Sequence, residues 1–249
     1  MSMPIIQGTA RPKKPHKPFP TVVLLVVGGV VALICAGVLG IGMLNGRESL
    51  ARVQTGNRLK QIMLALHSYH DQYDSLPPAI VTDANGKPLY SGRVLLLPFL
   101  EQAALFQKFD KTQAWNSPAN QPLSQQPVAV FQSPKHRTNS GSCDFVFVSG
   151  TGTAFDGKKP IRLGEVTDGL HSTLMVIETK QGPSSWAEPV DWIATSGPLL
   201  PGFHSGTTYV GLGDGVVIQL QTKPPHLHAK ALCTIAGGES LPDNPFSRD

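Results

Sequence analysis

The sequence has no Cys-x-x-Cys pair, no His-Glu-x-x-His, no Walker phosphate loop and no Gly-x-Ser-x-Gly elbow. Each absence removes a class. Without paired cysteines a structural zinc site has no thiolate framework. Without the other three there is no zincin-type protease, no P-loop nucleotide site and no hydrolase nucleophile elbow. Cysteine itself is scarce, at Cys35, Cys143 and Cys233. Cys35 sits in an apolar run and reads as a small hydrophobe. Cys143 and Cys233 admit two readings, one disulfide in an oxidising compartment or two separate buried thiols. There is no internal repeat and no long low-complexity tract.

Acid is missing from the first twenty residues, which hold Arg11, Lys13, Lys14 and Lys17. The whole chain is +4 with a pI near 9.0. Set aside those four cations and the rest of the chain is balanced, so the basic pI belongs to the tail. The domain shows no basic patch of the kind a nucleic-acid face needs, and no nucleic-acid partner is expected. What the chain has in quantity is Gly (25) and Pro (22), which implies many turns and short elements.

Charge is also missing from Thr21 to Leu44, TVVLLVVGGVVALICAGVLGIGML. As a helix, about 24 residues reach roughly 36 Å, enough to cross a bilayer core. The run is too long for a signal-peptide core, and Ile34 before Cys35 does not suit a lipoprotein signal. The reading is a transmembrane helix with the lipid bilayer as partner, in a cell membrane, single-pass. The expected division is a basic cytoplasmic tail at 1–20, the transmembrane helix at 21–44, a helix entering the head at 45–76, and an extracytoplasmic globular α+β domain at 77–249. Positive charge flanks the span on both sides and gives no clean bias. The orientation rests on the short proline-rich tail, which stays where it is made. Gly28, Gly29, Gly37, Gly40 and Gly42 are candidates for close helix approach and self-association, or simply the glycine common in membrane helices.

Leu59, Ile62, Met63, Leu66, Tyr69 or His70, and Tyr73 recur at helical steps and form one apolar face, closed by Pro77-Pro78. Pro98 fits the first position of a short helix carrying Phe99, Leu100, Ala103 and Phe106. Beyond it, Val128–Phe131, Phe145–Ser149, Thr173–Glu178, Thr207–Leu212 and Val216–Leu220 read as strands. Asp214-Gly215 joins the last two in a hairpin, expected as a type I′ turn. Asp156-Gly157 and Asp168-Gly169 read as turns. His226 to Ile235 is a candidate short helix before Gly237-Gly238. The fold class is therefore α+β: an N-terminal transmembrane helix continuing into a long amphipathic helix packed on an antiparallel β-sheet.

That plan resembles the type IV pilins, and the wording resembles a large prepilin-like family of planctomycete bacteria, a domain of unknown function. The resemblance is carried by NRLKQIMLALHSYHDQYDSLPPAI, which includes Asn57, Leu59, Lys60, Gln61, His67, Tyr69, His70, Pro77 and Pro78. It continues in RVLLLPFLEQAALFQKFD, WNSPAN, GTGTAFDG and VTDGLHSTLMVIE. It closes on a His, nine residues, then Asp-Gly, matched by His204, Asp214 and Gly215. The resemblance covers essentially all of residues 50–240. The chain departs from the family where KPFPTVVLLVVGG lacks the acidic prepilin-processing signal, so its N-terminus is expected to stay uncut. It departs again where Ser133-Pro134 replaces a Cys-Pro pair. The resemblance implies a pilin-like head and possible pilin-like assembly partners, with no established biochemical role.

Three sets of residues could hide chemistry. His67 and His70, one turn apart and followed by Asp71, could ligate a metal with help from His226 and His228, or simply form the polar flank of a helix. Asp156, Asp168 and Asp214 are hard oxygen ligands that could gather calcium if the fold brings them together; no other cofactor is expected. His204 and Asp214 are read as structural, at the two ends of one strand, and Glu101 as a solvated or capping side chain. No catalytic residue is assigned and an enzyme is not expected. The function read from the sequence is a membrane-anchored, pilin-like structural or interaction protein of the cell envelope. The alternative is a membrane-tethered ligand-binding protein or enzyme acting on an envelope polymer such as a glycan. A pocket joining His67, His70 and Asp214 to Trp186 or Trp192 would favour that alternative.

Overall fold

A computed structural model of the chain describes residues 21–136, 138–157, 160–194, 201–221 and 231–237, with the backbone alone at 21–28, 31–45 and 231. The expected tail at 1–20, the histidines His226 and His228 and the side chain of Cys35 lie outside the described residues. The chain divides into two compact units, Met1–Glu48 and Ser49–Asp249. The longest element, α1, covers Thr21–Tyr73. Among the described residues no helix is long and apolar enough to cross a membrane. The transmembrane helix expected at 21–44 is corrected accordingly. Where side chains of α1 are described from Gly46 on, Arg47, Glu48, Arg52, Arg58 and Lys60 interrupt it. That stretch has nowhere the roughly 20 consecutive apolar residues a span needs.

The second unit is α+β. Its sheet has the order β5-β3-β4-β6-β7, with β3 Phe145–Ser149, β4 Leu174–Glu178, β5 Trp192–Ile193, β6 Thr207–Leu212 and β7 Val217–Gln221. The expected all-antiparallel sheet is corrected to a mixed one. The pairs β3–β4, β4–β6 and β6–β7 run antiparallel, but β5 lies parallel to β3, pairing Val148 with Trp192. The connection from β4 takes the chain past β3, and β5 forms on the far side of that strand. A separate ribbon of β1 Ile80–Thr82 and β2 Pro88–Ser91 follows α1.

Alternation along the strands divides the core in two. Phe145 and Phe147 face the helix side with Leu59, Ile62, Met63 and Leu66 of α1, all buried. Val146 and Val148 face the other side with Leu174, Ile177, Val210 and Leu232. Gly211 on β6 lets α1 lie close to the sheet. A Cβ there would sit 2.5 Å from the Met63 sulfur. Cys143 and Cys233 are both buried thiols, one in each half of the core, so the two-thiol reading holds.

Four local expectations change. α1 stops at Tyr73, before Pro77 and Pro78, because Asp74 turns left-handed (φ 54) and its N–H caps the His70 carbonyl. Pro98 does not open a helix but lies inside a 3-10 helix, Gly92–Leu100, which ends at left-handed Glu101. The helix α2, Ala103–Lys108, starts only after that break. Val128–Phe131 is no strand. Ala129–Phe131 forms a 3-10 turn, and the Phe131 carbonyl accepts from Asp144 N–H, fixing the turn to the residue before β3. The β6–β7 loop is not type I′: Gly215 has positive φ (85) and Asp214 does not. Gly215 N–H donates to the Leu212 carbonyl and Leu212 N–H to Val216, as in a three-residue hairpin loop with a glycine bulge.

Candidate functional site

The end of β3 and the short edge strand β5 frame a cleft of about 360 Å³. The loop after β3 turns back sharply, with Ser149 bridging to Phe155. Phe155 stacks on Phe147 with ring centres 4.2 Å apart. This sets Asp156 at the cleft, which Asp191, on the segment that leads into β5, also lines. The remaining wall is mostly apolar, from Ala79, Ile80, Pro189, Val190 and Ile193. A second cleft, about 250 Å³, flanks the same segment and includes Val146 and Trp192.

Asp191 is held by a buried arginine. The Arg93 and Asp191 side chains are 1% and 3% exposed, and the Arg93 Nη1 group donates to Asp191 Oδ1. The same oxygen accepts the Phe147 N–H at 3.0 Å. Arg93 spends its other donors on the carbonyls of Trp186, Glu188 and Val190. Burial, the largest single influence, would lower the Arg93 pKa, but the charge and hydrogen bond of Asp191 together with nearby Cys143 and Glu188 outweigh it and hold the guanidinium above its ordinary value. Burial pushes Asp191 up, against the pull of Arg93 and the Phe147 N–H. Asp191 Oδ2 and Asp156 Oδ1 are buried without a hydrogen-bond partner among the described residues.

A second polar cluster lies at the other end of β4. Glu178 is 0% exposed. Its Oε1 accepts from Ser133 Oγ at 3.0 Å, while Oε2 has no partner of good geometry among the described residues. Burial raises the Glu178 carboxyl to about 7, opposed by the Ser133 hydrogen bond and reinforced by the charge of Asp144. Asp144 accepts Ser133 N–H at 2.6 Å on one oxygen and lies 2.9 Å from His136 Nδ1 on the other. Burial raises Asp144 as well. This is not a nucleophile–base array. The Ser133 hydroxyl is turned to a carboxyl group, and the histidine is engaged with the other acid.

The sequence-predicted residues mostly serve as fasteners. His204 is buried, with Nε2 3.1 Å from Thr55 Oγ1 on α1, and its ring meets Tyr209 edge-on. Asp214 Oδ1 accepts Val216 N–H inside the hairpin loop. β6 runs between the two, so they do not form a pair. His70 Nε2 accepts Leu163 N–H at 3.2 Å. His67 lies against the hairpin, its Nε2 3.6 Å from where a Cβ on Gly215 would stand. The two histidines thus serve different neighbours. Tyr69 packs edge-on against Phe99, and Leu59 is in the core. Asn57, Lys60 and Gln61 are exposed, and Pro77 is buried beside half-buried Pro78. The calcium candidates do not gather. Asp156 lines the cleft, Asp168 accepts from Gly237 N–H and Thr234, and Asp214 stays in its loop. No group of three or more His, Cys, Asp or Glu suited to a metal occurs among the described residues. Trp186 is fully buried and donates to the Gln126 carbonyl, whereas Trp192 borders the second cleft, away from His67 and His70.

Arg93, Asp191 and Glu178 carried no weight in the sequence reading. One signal was there: Arg93 opens RVLLLPFL and Glu178 closes VIE, each a lone charge at the end of an apolar run. Asp191 gave none.

The class defined is an α+β domain with one long helix on a mixed sheet and a small acidic cleft at the β5 edge. Residues 45–158 match the model of a family described as a protein of unknown function (DUF1559), so this stretch carries a domain of unknown function. The match takes in the later part of α1, Arg93 and Asp156, and stops short of Asp191, His204, Asp214 and Gly215. No curated protein and no solved structure gives a significant match.

Proposed function

We propose that this chain is a non-catalytic structural or interaction protein of the cell envelope, and that it assembles with copies of itself through the outer face of α1. The observation that carries this reading is an exposed apolar stripe. Leu50, Val53 and Leu64 are 57%, 60% and 68% exposed, on the face opposite buried Leu59, Ile62, Met63 and Leu66. With exposed Asn57 and Lys60 between them, they follow the three-and-four spacing of a helix-pairing seam. A lone Asn in such a seam fixes register. Placement in the envelope and pilin-like use of the head rest on the family resemblance of the helix signature. Sedimentation velocity on the full chain tests assembly: oligomers should grow with concentration and vanish in Val53→Glu and Leu64→Glu, with melting unchanged. A parent chain monomeric at every concentration overturns the reading.

The cleft beside β5 favours a second reading, a ligand-binding protein. Catalysis on a glycan is the weaker form of it, because a hydrolytic pair needs two working carboxyls and Asp191 is bonded to Arg93.

A further inference from the structure

We propose that Asn85, at the tip of the β1–β2 ribbon, is a site of spontaneous deamidation whose rate Asp83 governs, so that the chain gains a negative charge there as it ages. The tip is separate from the α1 stripe, and the proposal does not depend on self-assembly.

The chemistry needs an asparagine followed by a residue whose backbone nitrogen can reach the side-chain amide. Glycine allows this most readily, because it has no Cβ and the widest choice of backbone angles. The chain has two such pairs, Asn45-Gly46 and Asn85-Gly86. The structure separates them. Asn45-Gly46 lies inside α1, Thr21–Tyr73, where the Gly46 N–H belongs to the helical ladder and the backbone is held in one conformation. Asn85-Gly86 lies in the exposed loop between β1 and β2. No atom stands within 4 Å of the place a Gly86 Cβ would take.

One residue holds that loop. Gly86 N–H donates to the Asp83 carbonyl at 3.0 Å, and Asp83 N–H donates to the Lys87 carbonyl at 2.9 Å. Asp83 Oδ1 accepts the Asn85 and Lys87 N–H groups at 2.8 and 2.9 Å. No other hydrogen bond to Ala84, Asn85 or Gly86 occurs among the described residues. While the turn is closed the Gly86 nitrogen is occupied. Opening it costs the bonds of a surface loop, not those of the core. The freed Gly86 nitrogen attacks Asn85 Cγ. Its proton passes to the departing carboxamide nitrogen, and ammonia leaves as the new N–Cγ bond closes a cyclic imide. Water opens the imide at either carbonyl and gives aspartate or isoaspartate. Both products place a carboxylate near Asp83, and isoaspartate also lengthens the main chain by a methylene. The base of the ribbon is fixed independently, by Gly92 N–H on the Ala79 carbonyl and Ser91 N–H on the Ala187 carbonyl. The change therefore stays at the tip and the fold survives it.

The test is incubation of the folded full chain at mildly alkaline pH, followed by peptide mapping that resolves asparagine, aspartate and isoaspartate. Asn85 should convert at least about tenfold faster than Asn45, with the melting temperature unchanged. Asn85→Gln should abolish the conversion at the tip. Asp83→Ala removes the acceptor of the Asn85 and Lys87 N–H groups and should speed conversion by about tenfold. Asp83→Ser keeps an acceptor oxygen and should fall between parent and Asp83→Ala. Retention of the Asn85 amide for as long as that of Asn45, equal rates in the parent and both Asp83 variants, or loss of the fold as Asn85 converts overturns the proposal.

Discussion

Replacing Glu178 by Gln should make the domain more stable at alkaline pH and flatten its pH profile. Glu178 ends β4 fully buried, with one oxygen on Ser133 and the other without a good partner among the described residues. Its carboxyl titrates near 7 in the fold against 4.5 for a solvated glutamate. Between those values the folded chain keeps a proton that the unfolded chain has released. Stability from this group is therefore complete below about pH 4.5 and lost as pH rises through about 7. The gap corresponds to about 3 kcal/mol. Glutamine keeps an acceptor for Ser133 and never ionises. At pH 4.5 the two proteins should melt within a few degrees of each other; at pH 8 the variant should melt higher by about 6–12 °C, at about 2–4 °C per kcal/mol. Asp144, shifted in the same direction by burial, leaves a residual slope in both. Melting curves across that range decide it: parallel pH profiles for parent and variant would refute the assignment of the slope to Glu178.

Arg93→Met removes the partner of a buried Asp191 and should cost about 3–5 kcal/mol in urea unfolding. Adding Asp191→Leu should recover part of the loss, and no recovery would show that the carbonyl bonds of Arg93 dominate. Gly215→Val forces a branched residue to φ 85 and should cost about 1–3 kcal/mol. His204→Ala strands the Thr55 hydroxyl and should cost a similar amount; thermal melts compare the two, and a parent-like melt for either refutes its structural role.

The helix over 59–73 and the strands at 145–149, 174–178, 207–212 and 217–221 were legible because each buries a face with its own period, helical in one case and alternating in the others. The elements that were misread have no such pattern. Val128–Phe131 is rich in β-branched residues, but Ala129 is exposed and no strand pairs with it among the described residues, so its contact with Asp144 decided its shape. The hairpin was located from Asp214-Gly215, yet of that pair only Gly215 takes a positive φ, and the loop has three residues rather than two, a length the dipeptide rule does not weigh. β5 is two residues long, too short for periodicity, and the connection that makes it parallel to β3 leaves no local trace. The cleft was hidden for the same reason: its walls come from 79–80, 149–157 and 189–193, and of its acids only Asp156 stood out in the sequence, as part of a turn and as a candidate calcium ligand.

The matched stretch at 45–158 supplies only part of what the cleft needs. β3 is its one strand in the main sheet, and β3 pairs with β4 on one side and β5 on the other, both beyond residue 158. Arg93 lies inside the stretch and is buried by contacts with Trp186, Glu188, Val190 and Asp191 outside it. A chain ending at 158 would leave β3 with two open edges and a guanidinium without its carboxylate. The stretch is thus not a self-sufficient fold in this chain, and Arg93 is one of the residues that tie it to the rest of the second unit. Because Arg93 also fixes Asp191 at the cleft, whatever binds there should stabilise the whole second unit rather than the β5 edge alone, by the linkage that ties any native-state ligand to folding.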